Sequence, residues 1–173
     1  MIDRIKDEAK HLVALCLLAA ERHYAAETPW YHVNYYLGIP SMIVAAIAGA
    51  TALSTFAGHE WVTAGIALLA AALSALLTFL DPYKRASVHH TTARGYEAIY
   101  HAAGRFLRLN LTKDNLEPDV IEKTLAAFTT KFDELLQSSP ALPESAYKTA
   151  EQNLRNGRGE VLRVLDDNTA KGK

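Results

Sequence analysis

The chain of 173 residues contains one cysteine, Cys16, so it has no intrachain disulfide. A single cysteine is consistent with a reducing compartment for the part of the chain that contains it. The formal net charge is −1, and no basic excess points to nucleic acid as a partner. The sequence shows no cleavable signal peptide, internal repeat or low-complexity segment.

Motifs for catalysis and metal binding are also missing. There is no glycine-rich phosphate loop, no G-x-S-x-G and no H-E-x-x-H. Among the histidines, His89 and His90 are adjacent, so on a helix they point about 100° apart. His101 lies too far along the chain to complete a known metal-ligand spacing. We therefore expect no enzyme activity, no cofactor and no metal site, and we expect Cys16 to lie in an apolar core.

Charged residues and histidines are absent from two long apolar segments, residues 35–57 and 61–80. A bilayer core of about 30 Å needs about 20 helical residues, and both segments are long enough. Only Gly58-His59-Glu60 separates them, which predicts a tight antiparallel transmembrane hairpin. The alternative is a buried hairpin in a soluble helical domain. Buried helices seldom run this long without a charged residue.

Cationic residues flank the predicted hairpin on one side only. Arg22, Lys84, Arg85 and Arg94 lie within about 20 residues of that side. The positive-inside rule then places both termini in the cytoplasm. Lys84 and Arg85 either fix this topology alone or also contact anionic lipid headgroups.

Each predicted membrane helix carries small residues along one side and bulky apolar residues along the other. Small faces allow helices to approach closely, whereas bulky faces suit lipid. The small faces pack either within one hairpin only or also between hairpins of several copies. On the second helix the bulky side consists of Val62, Ile66, Leu69, Leu73, Leu76 and Leu80. The candidates for hairpin packing or a pore lining are Ser41, Ala45, Ala48, Thr55, Ala67, Ala71, Ser74 and Thr78.

Amphipathic patterns precede and follow the hairpin. Residues 3–27 predict a cytoplasmic helix that ends at Thr28-Pro29, because the residue before a proline disfavours helix. Residues 83–156 predict cytoplasmic helices over about 83–110, 117–137 and 144–156, and residues 157–173 predict a fraying tail. We expect one all-α domain over residues 1–173. It combines a two-helix transmembrane hairpin with a cytoplasmic helical bundle formed by the N- and C-terminal helices.

Several short motifs in this order resemble a known family. YYLGIPSMIVAAIAG enters the first membrane helix, and FLDPYKRA leaves the second. His89 and Tyr96 then form H-x-x-x-x-x-x-Y, and Leu142 to Tyr147 form Leu-Pro-x-x-x-Tyr. Over nearly the whole chain the layout resembles the SLATT family, the SMODS- and SLOG-associating two-transmembrane effector domain. The resemblance implies a prokaryotic membrane effector without catalytic residues. Such effectors are thought to form pores in defence and conflict systems.

From the resemblance and the small-faced hairpin we expect a homo-oligomeric pore that depolarises or permeabilises the inner membrane. The resemblance also implies a trigger, either a nucleotide signal or a partner protein, supplied by a separate sensor or signal-generating protein. The expected contacts are the lipid bilayer and further copies of the chain, with no nucleic acid. The rival hypothesis is a non-conducting membrane adaptor whose cytoplasmic helices bind a partner protein.

Overall fold

A computed structural model of the chain describes residues 2–53, 60–109 and 118–157. These residues form five helices and no strand, which confirms the expected all-α class for the ranges described. The predicted tail, from residue 158 onward, and the candidate Thr55 lie outside the described residues. The helices are α1 (Ile2–Leu53), α2 (Glu60–Leu80), α3 (Pro82–Leu109), α4 (Pro118–Ser138) and α5 (Glu144–Gly157).

Helices α2 to α5 begin and end within a residue or two of the predicted bounds, and local signals explain why. Pro82 and Pro118 occupy the first helical positions of α3 and α4, where the missing N–H is no loss. Asp81 separates α2 from α3 with a positive φ of 40°. Its N–H donates to the Leu77 carbonyl at 2.9 Å, and its carboxylate accepts the Lys84 N–H at 3.3 Å. Asp81 thus ends one helix and caps the next.

The chain divides into two compact units. Unit 1 comprises the described residues of Met1–Glu27 and Val88–Lys173, and unit 2 comprises those of Thr28–Ser87. The core of unit 1 joins α1, α3 and α4, and α5 adds a second cluster against Leu17 and Leu18 through Leu154. Cys16 is completely buried, which confirms its expected place in the core. The main core cluster consists of Ala9, Leu12, Cys16, Ile99, Phe106, Ile121 and Leu125.

Unit 2 pairs the second part of α1 with α2. Residues 54–59 are too few to run back along a helix of about 30 Å, so the two helices are antiparallel. Most of the less exposed residues recur at helical spacing on one side of each helix, which indicates the sides that pack together. On α1 they are Leu37, Ser41, Val44, Ala48 and Thr51, and on α2 they are Val62, Ile66, Ala70, Leu73, Leu77 and Leu80.

The prediction of a helix end at Thr28-Pro29 is wrong. Helix α1 continues through both Pro29 and Pro40 to Leu53. A proline inside a helix loses one hydrogen bond and crowds a carbonyl, at a cost of about 3 kcal/mol. Packing offsets this cost, because Ala26 and Glu27 are buried in unit 1 just before Pro29. Beyond Pro40, Ser41 is buried in unit 2. The local preference to end a helix at a proline is therefore overcome by tertiary contacts that stabilise the helix next to each proline.

Candidate functional site

The outer surface of unit 2 is apolar and largely uncovered. Met42 and Phe79 are 74% and 83% exposed, and Trp61 and Leu68 are similarly open. Two helical stretches, Arg4–Thr51 and Glu60–Leu109, are long and apolar enough to hold a membrane span. In each stretch only 6% of the most apolar 18-residue segment is buried, whereas the core helix of a soluble protein would be mostly buried. This surface is compatible with a membrane location.

The candidate small residues of α2 do not lie on the side that packs against α1. Ser41 is buried and Ala48 is half-buried on the side of α1 that packs against α2, while Ala45 is exposed. On α2 the four candidates Ala67, Ala71, Ser74 and Thr78 are all exposed. The small stripe of α2 therefore faces away from α1.

Helix α2 instead turns part of its bulky side toward α1. Val62, Ile66, Leu73 and Leu80 are half-buried, whereas Leu69 and Leu76 of the same predicted side are exposed. The physical reason is complementary volume. Small residues on the packing side of α1 leave space that long side chains of α2 fill.

Lys84 and Arg85 lie in the first turn of α3, and both are exposed. The Arg85 Nε–H donates to the Leu80 carbonyl at 2.9 Å. Its guanidinium carbon lies 4.9 Å from the centroid of the Trp30 ring. Arg85 is therefore held by a cation–π contact and by the negative end of the α2 dipole.

A cluster of polar side chains lies inside unit 1, between α1 and α3. His23, Glu27 and His89 are buried, with 2%, 7% and 6% exposure, although such residues are usually at the surface. The Nδ1 atoms of His23 and His89 are 3.1 Å apart. One ring must donate its Nδ1–H and the other must accept it, so this bond requires at least one of the two imidazoles to be neutral.

The surroundings of the two histidines favour their uncharged forms. Burial, together with the charge of His89, lowers the pKa of His23 to about 4. Burial also lowers the pKa of His89, and the Glu27 carboxylate opposes that shift. The Tyr96 ring stacks on His23, with 5.8 Å between the ring centroids. The pair is thus a proton acceptor that the fold holds unprotonated.

A second layer of contacts lies at the edge of this cluster. His90 Nδ1 is 3.0 Å from the nearer carboxylate oxygen of Glu27. The Tyr24 hydroxyl donates to Glu97 at 3.0 Å, and burial and then this bond raise the pKa of Tyr24. Within the described ranges no three histidine, cysteine or acidic residues are arranged to hold a metal ion.

A groove of about 470 Å³ runs along unit 1 between α3 and α4. Gly95 forms part of its wall, and a Cβ there would lie 3.1 Å from the methyl groups of Leu135. The glycine therefore allows the two helices to come close. The groove is lined mainly by Gly95, Ala98, Ile99, Ala102, Phe128 and Leu135, with Lys131 and Glu134 also in contact with it.

Sequence reasoning missed His23 and Glu27, although a signal for them was present. His23 lies seven residues after Cys16 and Glu27 four residues after His23, so both continue the apolar side of α1. His89 and Tyr96 are likewise seven residues apart on α3. Polar residues at apolar positions of two helices indicate a buried polar contact, which metal-ligand spacing alone does not reveal.

No family model, curated protein or solved structure matches the chain.

Proposed function

We propose that the chain is an oligomeric, pore-forming membrane effector. The observation that carries this proposal is the exposed apolar surface of unit 2, on which the described residues leave Met42, Leu68 and Phe79 largely uncovered. Residues 35–57 and 61–80 hold no Asp, Glu, Lys, Arg or His side chain that a bilayer would have to desolvate. Lipid and further copies of the chain can cover such a surface, and this removes the free-energy cost of exposing it to water.

Assembly into an oligomer follows from the size of the hairpin. Two helices cannot enclose a water-filled path, so a pore needs several hairpins. The stripe of α2 that includes Ala67, Ala71 and Ser74 is open to such contacts. Ser74 and Thr78 supply hydroxyl groups on this stripe, and the Thr78 hydroxyl donates to the Ser74 carbonyl at 2.8 Å. Its oxygen can still accept hydrogen bonds from water.

The topology and the biological role come from the sequence. Lys84 and Arg85, at the exit of the second predicted span, favour termini in the cytoplasm and unit 1 on that side. The resemblance to the SLATT family supports a role in a prokaryotic defence or conflict system in the inner membrane. In this proposal a separate sensor or signal-generating protein supplies the trigger to unit 1.

Ion flux through liposomes tests the proposal directly. The purified full chain is reconstituted across a potassium gradient, and the membrane potential is read with a voltage-sensitive dye. The matched control carries an unrelated two-helix hairpin in place of residues 35–80, at equal protein density. Flux with the native hairpin alone supports a pore. Equal flux with both hairpins contradicts the proposal, because leakage would then not depend on these helices.

A second candidate function is a membrane-anchored adaptor that conducts nothing, which the groove beside Gly95 favours. Phe128 and Leu135 offer it an apolar floor, and Lys131 and Glu134 offer charges for orientation. The same hairpin exchange separates the two functions. An adaptor keeps its protein partner and its cellular effect with a foreign hairpin, whereas a pore loses its effect.

A further inference from the structure

The contact between His23 and His89 is the most unusual chemical feature of unit 1. Apolar residues of the same helices, Cys16, Ala20, Ala26 and Ala93, are buried as well, and Glu27 and Tyr96 lie beside the two rings. A buried polar pair usually costs stability relative to a well-packed apolar pair, so its presence calls for a physical reason. The two rings link α1 to α3 by a single hydrogen bond that protonation of both would break.

We propose that His23 and His89 form a proton-operated latch, which holds α1 against α3 at neutral pH and releases them as the surrounding solution becomes acidic. The latch consists of these two residues. Its closed state is the structure described above. In its open state α1 and α3 separate enough for both imidazoles to reach water. The proposal does not depend on whether the chain conducts ions.

The direction of the effect follows from the two states. In the open state each histidine regains an ordinary pKa of about 6.5, whereas burial holds the pKa of His23 at about 4 in the closed state. The open state therefore binds more protons between these values. Stability of the closed latch is complete above about pH 6.5 and falls as the pH drops toward 4.

The other ionisable groups of the cluster modulate this response. On α1, Glu27 stabilises a proton on His89, which weakens the acid response of that ring. On α3, His90 contacts the Glu27 carboxylate from the edge of the cluster, with 3.0 Å between its Nδ1 and the nearer oxygen. Tyr24 and Glu97 bond each other, and Tyr96 stacks on His23 with its hydroxyl against Ser139. From α5, Tyr147 lies against the guanidinium of Arg22.

Cys16 provides a reporter in the natural chain. It is the only cysteine, it is completely buried in the core that α1 and α3 share, and burial raises the pKa of its thiol to about 12. A thiol reagent reaches it only when the core opens. The reaction rate, divided by the rate for the chain unfolded in denaturant at the same pH, then measures the open fraction.

The experiment compares this normalised rate at pH 7.5 and pH 5.5 for the full chain in detergent, with 4,4′-dithiodipyridine as the reagent. We expect protonation of His23 alone to make the normalised rate about tenfold higher at pH 5.5 than at pH 7.5. The double variant His23→Gln, His89→Gln should reduce the rise to less than about twofold. The matched control His90→Gln should keep the full rise. Equal normalised rates at the two pH values, or a rise that survives in the double variant, would overturn the latch.

A third variant covers the case in which the double variant does not fold. Glu27→Gln keeps both latch histidines and removes the carboxylate beside His89 and His90. Without that charge, a proton on His89 is less favourable in the closed state. The acid-induced rise should therefore exceed that of the natural chain. A rise equal to or smaller than the natural one contradicts the proposal.

Discussion

Asp81 shows how one residue organises a helix junction. It is the only described residue other than glycine with a positive φ, and its 40° lies in the left-handed region. Aspartate and asparagine tolerate this region because their short side chains bond to nearby backbone, whereas a β-branched residue meets its own backbone there. The sequence pattern Asp81-Pro82 predicted the break correctly but not this conformation.

We expect Asp81→Val to lower the free energy of unfolding by about 1–2 kcal/mol, because valine resists a positive φ and cannot accept the Lys84 N–H. Asp81→Asn should change it by less than about 0.5 kcal/mol, since its amide oxygen can still accept that bond. Unfolding of the full chain in mixed micelles, followed by circular dichroism, measures both. Equal losses for the two variants would show that the backbone conformation is not what matters at this position.

At the scale of the elements, the sequence predicts where helices are more reliably than which side of them packs. Capping residues and prolines act locally, so the bounds of α2 to α5 followed from the residues around Pro82, Pro118 and Glu144. Helix α1 was predicted too short because the cost of Pro29 is local while its compensation is tertiary. Likewise, periodicity separates the small and bulky sides of α2 but does not reveal which side meets α1.

The position of the small stripe on α2 leads to a prediction for Ala71 and Ala70. Ala71→Leu adds bulk on an exposed side, so it should reduce self-association and leave the hairpin intact. Ala70→Leu adds the same bulk on the packed side and should cost about 1–3 kcal/mol of stability. Chemical cross-linking in detergent measures assembly, and unfolding in micelles measures stability. Unchanged assembly of the Ala71→Leu variant would rule out this stripe as the contact between copies.

The buried histidine pair shows why the candidate site was harder to predict than the fold. His23 and His89 are 66 positions apart in the sequence, and only the packing of α1 on α3 brings their rings together. Adjacent His89 and His90 have different environments, one inside the cluster and one at its edge beside Glu27. No property of the dipeptide distinguishes them. The distinction comes from the angle at which each side chain leaves a helix whose partner the sequence does not specify.

At the scale of the whole molecule, α1 and α3 each contribute residues to both units. If the proposed function holds, opening of the latch acts on two helices that also belong to the proposed membrane unit. We therefore expect potassium flux through reconstituted full-length chain to rise by up to about tenfold between pH 7.5 and pH 5.5, the factor set by His23. The comparison uses liposomes with the same pH on both sides.

The variants of the latch decide what such a rise means. His23→Gln with His89→Gln should make the flux independent of pH, while His90→Gln should retain the increase. No flux at either pH would show that acid alone, without the separate trigger, does not open the proposed pore, and would leave the result at Cys16 unchanged. Acid-dependent exposure of Cys16 together with pH-independent flux would show that the latch opens but does not control conduction. A parallel rise of both signals, lost together in the double variant, would connect the protonation of one buried contact to the permeability of the membrane.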